Sequence, residues 1–390
     1  MKRLGNVLTD LISYENYLTS FMNGTERKRN KAEVRKYLFT DQEAKDCPPC
    51  FHQINPKLVE PFHRKISKEI KDMTYRVSEP KHRHVYLKSK SKEKGKWRDL
   101  YMPSFKDHIV NHMLMQSCMS AFTKGMHPYC CGSVPGRGPR FVVKTVFGWM
   151  KKDKQCRYFV VVDIKQFFMS IRSDIMMDIL KRKIKDIYAL WLFQMFLKSC
   201  TVPCPMGYFS SPWLANLYLE ELDWYIDREL YKERRGKRIK YVRHFIRYID
   251  DYLLIGTSKC DLRKAVKAIE NFLINQRDLK IKQTWEIKKI GHHEIIEGKR
   301  KLTDGYYCDY VGYKFCKDTT IMRGGIYLAT KRLVKRMYKS KHYKVSQCAS
   351  LTARLGWAKH CDSFDFMNQT VKRYVNISDM RRVLSHVYSK

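Results

Sequence analysis

The chain has 390 residues and carries 77 lysines and arginines against 39 acidic residues, a formal net charge of +38. No apolar stretch is long enough to span a bilayer as a helix. The 13 cysteines, an odd number without framework spacing, exclude a disulfide scaffold and read as reduced cytosolic thiols.

The basic excess runs along the whole chain rather than in a tail. It points to a polyanion partner, held through phosphate neutralisation and counterion release. Aromatic residues make up 13% of the chain, so stacking on bases is available as well. Lys2 and Arg3 open no signal peptide, because Asp10 and Glu15 break the apolar run, and a cytoplasmic chain with no membrane partner is expected. The length suits two or three subdomains around a sizeable core.

Residues 1–80 read as helical and basic. The run Arg27-Lys-Arg-Asn-Lys31 suits a solvated face that also touches nucleic-acid backbone, and Cys47-Pro-Pro-Cys50 offers half a zinc site with no second pair at finger spacing. Arg83–Lys88 and Lys96–Met102 alternate as two strands around a polar turn. This basic hairpin suits a lid over a nucleotide triphosphate, with Lys88 and Arg98 as candidate phosphate ligands. Asp107 is expected to cap the helix that follows. The Gly/Pro-rich segment His127–Pro139, with Arg137 at its centre, allows close approach to a ligand or template strand, or serves as a connector.

Arg157–Val162 is a largely apolar run that fits a buried strand, and it ends at Asp163. From Ser173 a long helical region is expected to about Ser199. At Gly207-Tyr-Phe-Ser-Ser211-Pro212, Gly207 permits a turn, Ser211 is placed as N-cap and Pro212 as first helical residue, with the helix continuing to about Leu230. Tyr248-Ile-Asp250-Asp251 sits between two β-prone runs, as in a hairpin that lifts two carboxylates out of a sheet. Two such groups repel each other and resist desolvation unless a cation offsets them. With Asp163 the chain supplies three carboxylates, enough to hold two Mg2+ ions for phosphoryl transfer. Leu279–Lys288 reads as a strand carrying Lys282, a candidate for the incoming triphosphate. Tyr306–Phe315 reads as a second hairpin, and the chain from about Ala329 as helical and basic.

In this order, the blocks between residues 83 and 361 resemble reverse transcriptases. Asp163-Ile-Lys-Gln-Phe-Phe168, Gly207-x-x-x-Ser211-Pro212 and Tyr248-Ile-Asp250-Asp251 match the three central palm motifs, and Asp309-Tyr310-Val-Gly312-Tyr resembles the primer-grip block. The resemblance implies an α+β right hand of fingers, palm and thumb, the palm an antiparallel sheet with helices on one face. The boundaries are 1–155 for the N-terminal extension and fingers, 156–318 for the palm with a fingers insertion near 172–204, and 319–390 for a helical thumb. It implies RNA-templated DNA synthesis from dNTPs with two Mg2+ ions, or Mn2+ in their place.

By the same resemblance, Asp163, Asp250 and Asp251 are metal ligands, with the Ile164 backbone carbonyl as accessory. Phe168 is the gate against a ribose 2′-hydroxyl, and Met206, Gly207 and Ser211 border the nucleotide. Arg137, Tyr248, Tyr310 and Gly312 border template or primer. Ile12-Ser-Tyr-Glu-Asn16 and Leu355-Gly-Trp357-Ala-Lys-His-Cys361 are similar to diversity-generating and defence-associated bacterial enzymes. Met206, where many members have glutamine, suits the diversity-generating branch, and Ser211-Pro212 leans toward the defence branch. His108 replaces the arginine that usually follows the fingers aspartate. The expected partners are a dedicated noncoding RNA as template, a DNA product or primer, dNTPs and an accessory protein. The rival readings are untemplated or protein-primed DNA synthesis and an inactive RNA-binding scaffold.

Overall fold

The structure, a computed structural model, describes residues 2–26, 28, 31–38, 54–87, 96–340 and 342–388. Lys88, Cys47, Cys50 and most of the Arg27–Lys31 run lie outside the described residues. No described helix is long and apolar enough to cross a membrane.

The N-terminal region packs helices Tyr14–Thr25 and Pro56–Lys71 against Phe105–Thr123. Ser13 caps the first, and Asn16, buried, donates to the Met113 carbonyl at 3.2 Å and to Ser117 Oγ at 2.9 Å. A buried amide is tolerated because it is bonded. The cap of Phe105–Thr123 is Ser104, not the predicted Asp107. The serine hydroxyl takes the Asp107 N–H, and the Asp107 carboxylate, fully buried, accepts instead from Tyr75, Ser104 and the Ser78 N–H. Strands β1 (Lys81–Leu87) and β2 (Lys96–Met102) form the predicted hairpin, with Arg98 opposite Val85.

The central sheet comes from β3 (Cys130–Cys131), β4 (Tyr158–Asp163), then, past a separate ribbon β5 (Tyr231–Arg234) and β6 (Lys237–Lys240), from β7 (His244–Tyr248), β8 (Asp251–Gly256) and β9 (Lys288–Lys289). Its order is β3-β7-β8-β4-β9, antiparallel except for the short parallel β3–β7 pair. Alternation along β4 and β8 sends Val160, Val162, Tyr252 and Leu254 to one core and Phe159, Leu253 and Ile255 to another. Helices Ser211–Tyr218, Glu220–Arg228 and Lys259–Arg277 cover the first face. The resemblance implies helices on one face; the other is covered too, by helix Pro139–Lys152 and a small sheet. After the hairpin β10 (His292–Ile296) and β11 (Lys299–Thr303), that sheet is built from β12 (Cys308–Tyr310), β13 (Tyr313–Phe315) and β14 (Thr320–Met322).

Four predicted boundaries change. The helical region from Ser173 splits into Ser173–Lys183 and Ile187–Leu197, because Ile184 bridges to Leu4 and Asp186 caps the second helix. The helix expected to run to Leu230 breaks at Leu219, where buried Arg277 takes the Tyr218 carbonyl at 2.8 Å. Its cap position is Ser210, and Ser211 is already helical. Of Leu279–Lys288 only Lys288, the first residue of β9, is in a strand; residues 279–287 meet the sheet at one bridge, Ile281 to Ile164. The C-terminal helices Gly324–Lys339, Val345–Ala358 and Ile377–Tyr388 enclose their own core around Leu333, Met337, Leu351 and Val371.

Candidate active site

The three carboxylates meet at one end of the central sheet. Asp163 ends β4 directly opposite Asp251, which begins β8. Directly opposed residues put their side chains on the same face, about 5 Å apart at Cβ. Tyr248 pairs with Asp251, leaving a two-residue turn of Ile249 and Asp250. Ile249 has φ +59°, a left-handed conformation that a β-branched residue adopts only when its surroundings impose it.

Those surroundings are buried and fully bonded. The Ile249 N–H donates to the Cys131 carbonyl at 3.0 Å, and Arg247 Nη1 donates to the Ile249 carbonyl at 2.8 Å. Arg247 has no exposed surface. Its guanidinium grips Asp223 with two bonds of 2.8 and 2.6 Å and also donates to Asn216 Oδ1 and Cys130 Sγ. Asn216 Nδ2 in turn reaches the Gly132 carbonyl at 3.0 Å. From the other side, the Tyr310 hydroxyl shares its one proton between the carbonyls of Asp251 (2.8 Å) and Ile246 (3.1 Å). Sequence reasoning missed Arg247, Asn216 and Asp223. The available signal was an arginine inside an apolar strand, which needs a buried counter-charge.

The carboxylates themselves are poorly compensated. Burial, then Asp250 and Asp163, pushes Asp251 up to about 7. Burial, with Asp163 nearby, raises Asp250 as well. Lys282 supplies one counter-charge: its Nζ lies 2.6 Å from Asp163 Oδ2, and its N–H bonds the Asp163 carbonyl. Asp163 Oδ1 is buried without a hydrogen-bond partner. An orphaned carboxylate oxygen beside two mutually repelling carboxyls, all hard donors, fits a divalent cation such as Mg2+. The tightest three-residue ligand groups among the described residues lie elsewhere, at Asp153/Cys156/His244 and His293/Cys316/Asp318. In each an arginine, Arg243 or Arg300, already sits on the carboxylate at 2.7 or 2.6 Å and supplies the positive charge.

The remaining predicted residues separate into those that face this end and those that hold it. Arg98 lies near enough for its charge to favour ionised Asp250, and it has no ion pair among the described residues. Ile164, buried, donates to the Asp250 carbonyl at 3.4 Å. Phe168 follows Gln166, which turns the chain at φ +47°, and is half-buried 5.5 Å from Phe167. Met206 is tied to the fingers hairpin by the Tyr101 N–H, and a Cβ on Gly207 (φ +129°) would overlap the Tyr101 carbonyl. The loop closes on β2 only because residue 207 is glycine. Tyr248 packs against Gly132.

Ser211, Tyr310, Arg137 and Gly312 also have contacts within the protein. The Ser211 hydroxyl is buried on the Pro205 carbonyl at 2.7 Å, and Tyr310 is turned wholly into the core. Arg137 holds its own loop through the His127 carbonyl, 2.9 Å away. Gly312 (φ +80°) lies under the Trp357 ring, where any Cβ would come within 2.5 Å. Ser211, Tyr310 and Gly312 are buried, while Arg137 is partly exposed.

The sequence model of one family, described as reverse transcriptase (RNA-dependent DNA polymerase), matches residues 80–285, just over half of the chain. The chain belongs to the reverse transcriptase family. The matched span holds the hairpin β1–β2, all three aspartates and Lys282. Group II intron-encoded protein LtrA of Lactococcus lactis subsp. cremoris is 30% identical over 173 residues, 42% of this chain and 28% of that protein. Retron Ec73 reverse transcriptase of Escherichia coli is 27% identical over 207 residues, 49% of this chain and 62% of that protein. Protein YkfC of Escherichia coli K12 is 23% identical over 207 residues, 44% of this chain and 53% of that protein. The chain thus spans between about a quarter and three fifths of these relatives. Among solved structures, an apo telomerase from Candida tropicalis aligns with a TM-score of 0.43 at 10% identity, covering 68% of this chain and 60% of that one.

Proposed function

We propose that this reverse transcriptase is an RNA-directed DNA polymerase that extends a primer with dNTPs on an RNA template. The observation that carries it is the meeting of Asp163, Asp250 and Asp251, with an orphaned oxygen and raised carboxyls, at a turn held by buried bonds. Asp163, Asp250 and Asp251 would hold two divalent cations, Mg2+ or Mn2+. Such ions, when bound, favour the ionised primer 3′-hydroxyl and neutralise the leaving pyrophosphate. The chain's own residues do the rest. Arg98, without an ion pair among the described residues, would pair with a triphosphate oxygen. Lys282, held beside Asp163, offers a second cation to the same group. Phe168, half-buried five residues after Asp163, would be the gate against ribose.

The template is a dedicated noncoding RNA and the setting anti-phage defence. Ser211-Pro212 supports that branch over the diversity-generating one, while the stretches around Asn16 and Trp357 are similar to both. Primer extension on an RNA template tests the activity. The wild-type chain extends with dNTPs and Mg2+, and Asp250→Asn with Asp251→Asn loses at least a thousandfold. Full extension by that double variant contradicts the assignment.

A further inference from the structure

The ribbon β5–β6 leaves the molecule at the far end of β7 from the aspartate turn, about 15–20 Å away at the usual rise of a strand. Its residues 231–240 hold six cations and one carboxylate. At the base the cations are matched. Lys232 Nζ sits 2.7 Å from both oxygens of Asp261, Lys240 Nζ 2.7 Å from Asp227, and the Arg238 guanidinium 4.4 Å over the Tyr231 ring.

At the tip they are not. Arg234 lies directly opposite Lys237, a like-charge pairing that weakens a ribbon. Arg235 takes φ +52° and Gly236 φ +71°, a turn that favours asparagine or glycine at the position Arg235 fills. The side chains of Arg234, Arg235 and Lys237 are exposed and have no ion pair or hydrogen bond to a described residue. A hairpin serving only to connect Glu220–Arg228 to β7 gains nothing from this repulsion and backbone strain. An anion at the tip would offset both.

We propose that the tip of β5–β6 binds the phosphodiester backbone of a folded RNA segment lying outside the template cleft. RNA is named on the strength of the proposed function, while phosphate recognition stands on the ribbon alone. A folded segment fits better than a single strand, because the tip has cations but no free aromatic face for unpaired bases; the Tyr231 ring is covered by Arg238. Beside the ribbon's base, Lys152, the Arg243–Asp153 ion pair and the stacked rings of Trp149 and His244 line an open hollow.

The test is binding of a closed RNA hairpin with no recessed 3′ end, across a salt series, by the full chain and by its Arg234→Gln, Arg235→Asn, Lys237→Gln variant. Three lost phosphate contacts should flatten the log–log salt slope by about 2–3 and weaken binding at least tenfold at low salt. Extension of a short primer–template and the melting temperature should stay within error. Repeating the binding in the Asp250→Asn, Asp251→Asn background keeps the result independent of polymerase activity. An unchanged slope overturns the proposal. Equal loss of primer extension overturns it too, by placing the ribbon in the cleft. Equal affinity for a DNA hairpin of the same sequence overturns the RNA assignment. Loss of polyglutamate binding with RNA binding intact assigns the tip to an acidic protein instead.

Discussion

At the turn Tyr248–Asp251 the backbone is held from both sides by buried groups: Arg247 on the Ile249 carbonyl, Cys131 on the Ile249 N–H, Tyr310 on the Asp251 carbonyl. The hairpin β1–β2, which faces the same space, is held mainly by its own ladder, and its Arg98 makes no ion pair among the described residues. The difference separates two tasks. Repelling carboxylates stay together only if the surrounding structure over-determines their backbone. Under the proposed function Arg98 meets an arriving triphosphate, a task that favours donors without an ion pair.

Breaking the rigid side should give the largest effect. Arg247→Met leaves Asp223 buried without its counter-charge, a loss of about 3–5 kcal/mol. A fall in melting temperature with loss of extension is expected, and Asp223→Asn added to it should recover part of the stability. Unchanged melting would show that the buried pair does not hold the turn.

Breaking the open side should act on binding alone. Arg98→Ala removes one charge-assisted contact, about 1.5–3 kcal/mol. Steady-state kinetics should show KM for dNTP rising about ten- to a hundredfold, by the usual 1.4 kcal/mol per decade, with melting unchanged. A fall in kcat at constant KM would place Arg98 elsewhere in the cycle.

The charge at the turn can be read by pH. A carboxyl raised in the folded state binds its proton more tightly than in the unfolded chain, so metal-free stability should fall as pH rises from about 4 to about 7. A cation must displace that proton, so apparent Mn2+ affinity should climb with pH to about 7 and then level. Melting curves with and without Mn2+ at pH 5.5, 7 and 8.5 check both signs, and a pH-independent Mn2+ shift would contradict the raised carboxyl. The smallest effect belongs to Tyr310→Phe, which removes one hydroxyl donor shared between two backbone carbonyls, about 1 kcal/mol. Extension should slow a few-fold at unchanged dNTP KM.

The three aspartates were legible because a carboxylate closing an apolar strand has no packing purpose, and two adjacent ones need a cation. The hairpin β1–β2 was legible from its alternation. Arg247 was not, because its partners Asn216 and Asp223 lie 31 and 24 residues away and meet it only in the fold. Ser211 and Tyr310 carry the motif positions but point inward, since spacing along a chain does not say which way a hydroxyl turns. The break at Leu219 was equally hidden, for it depends on Arg277 arriving from another helix.

The most direct measurement is DNA synthesis by the purified chain with Mg2+ and dNTPs, with co-purified RNA retained or digested away and the products sequenced. The account predicts DNA complementary to the bound RNA, absent after RNase treatment and absent in the Asp250→Asn, Asp251→Asn variant. Homopolymer or random DNA that survives RNase treatment, or undiminished synthesis by the variant, would contradict it.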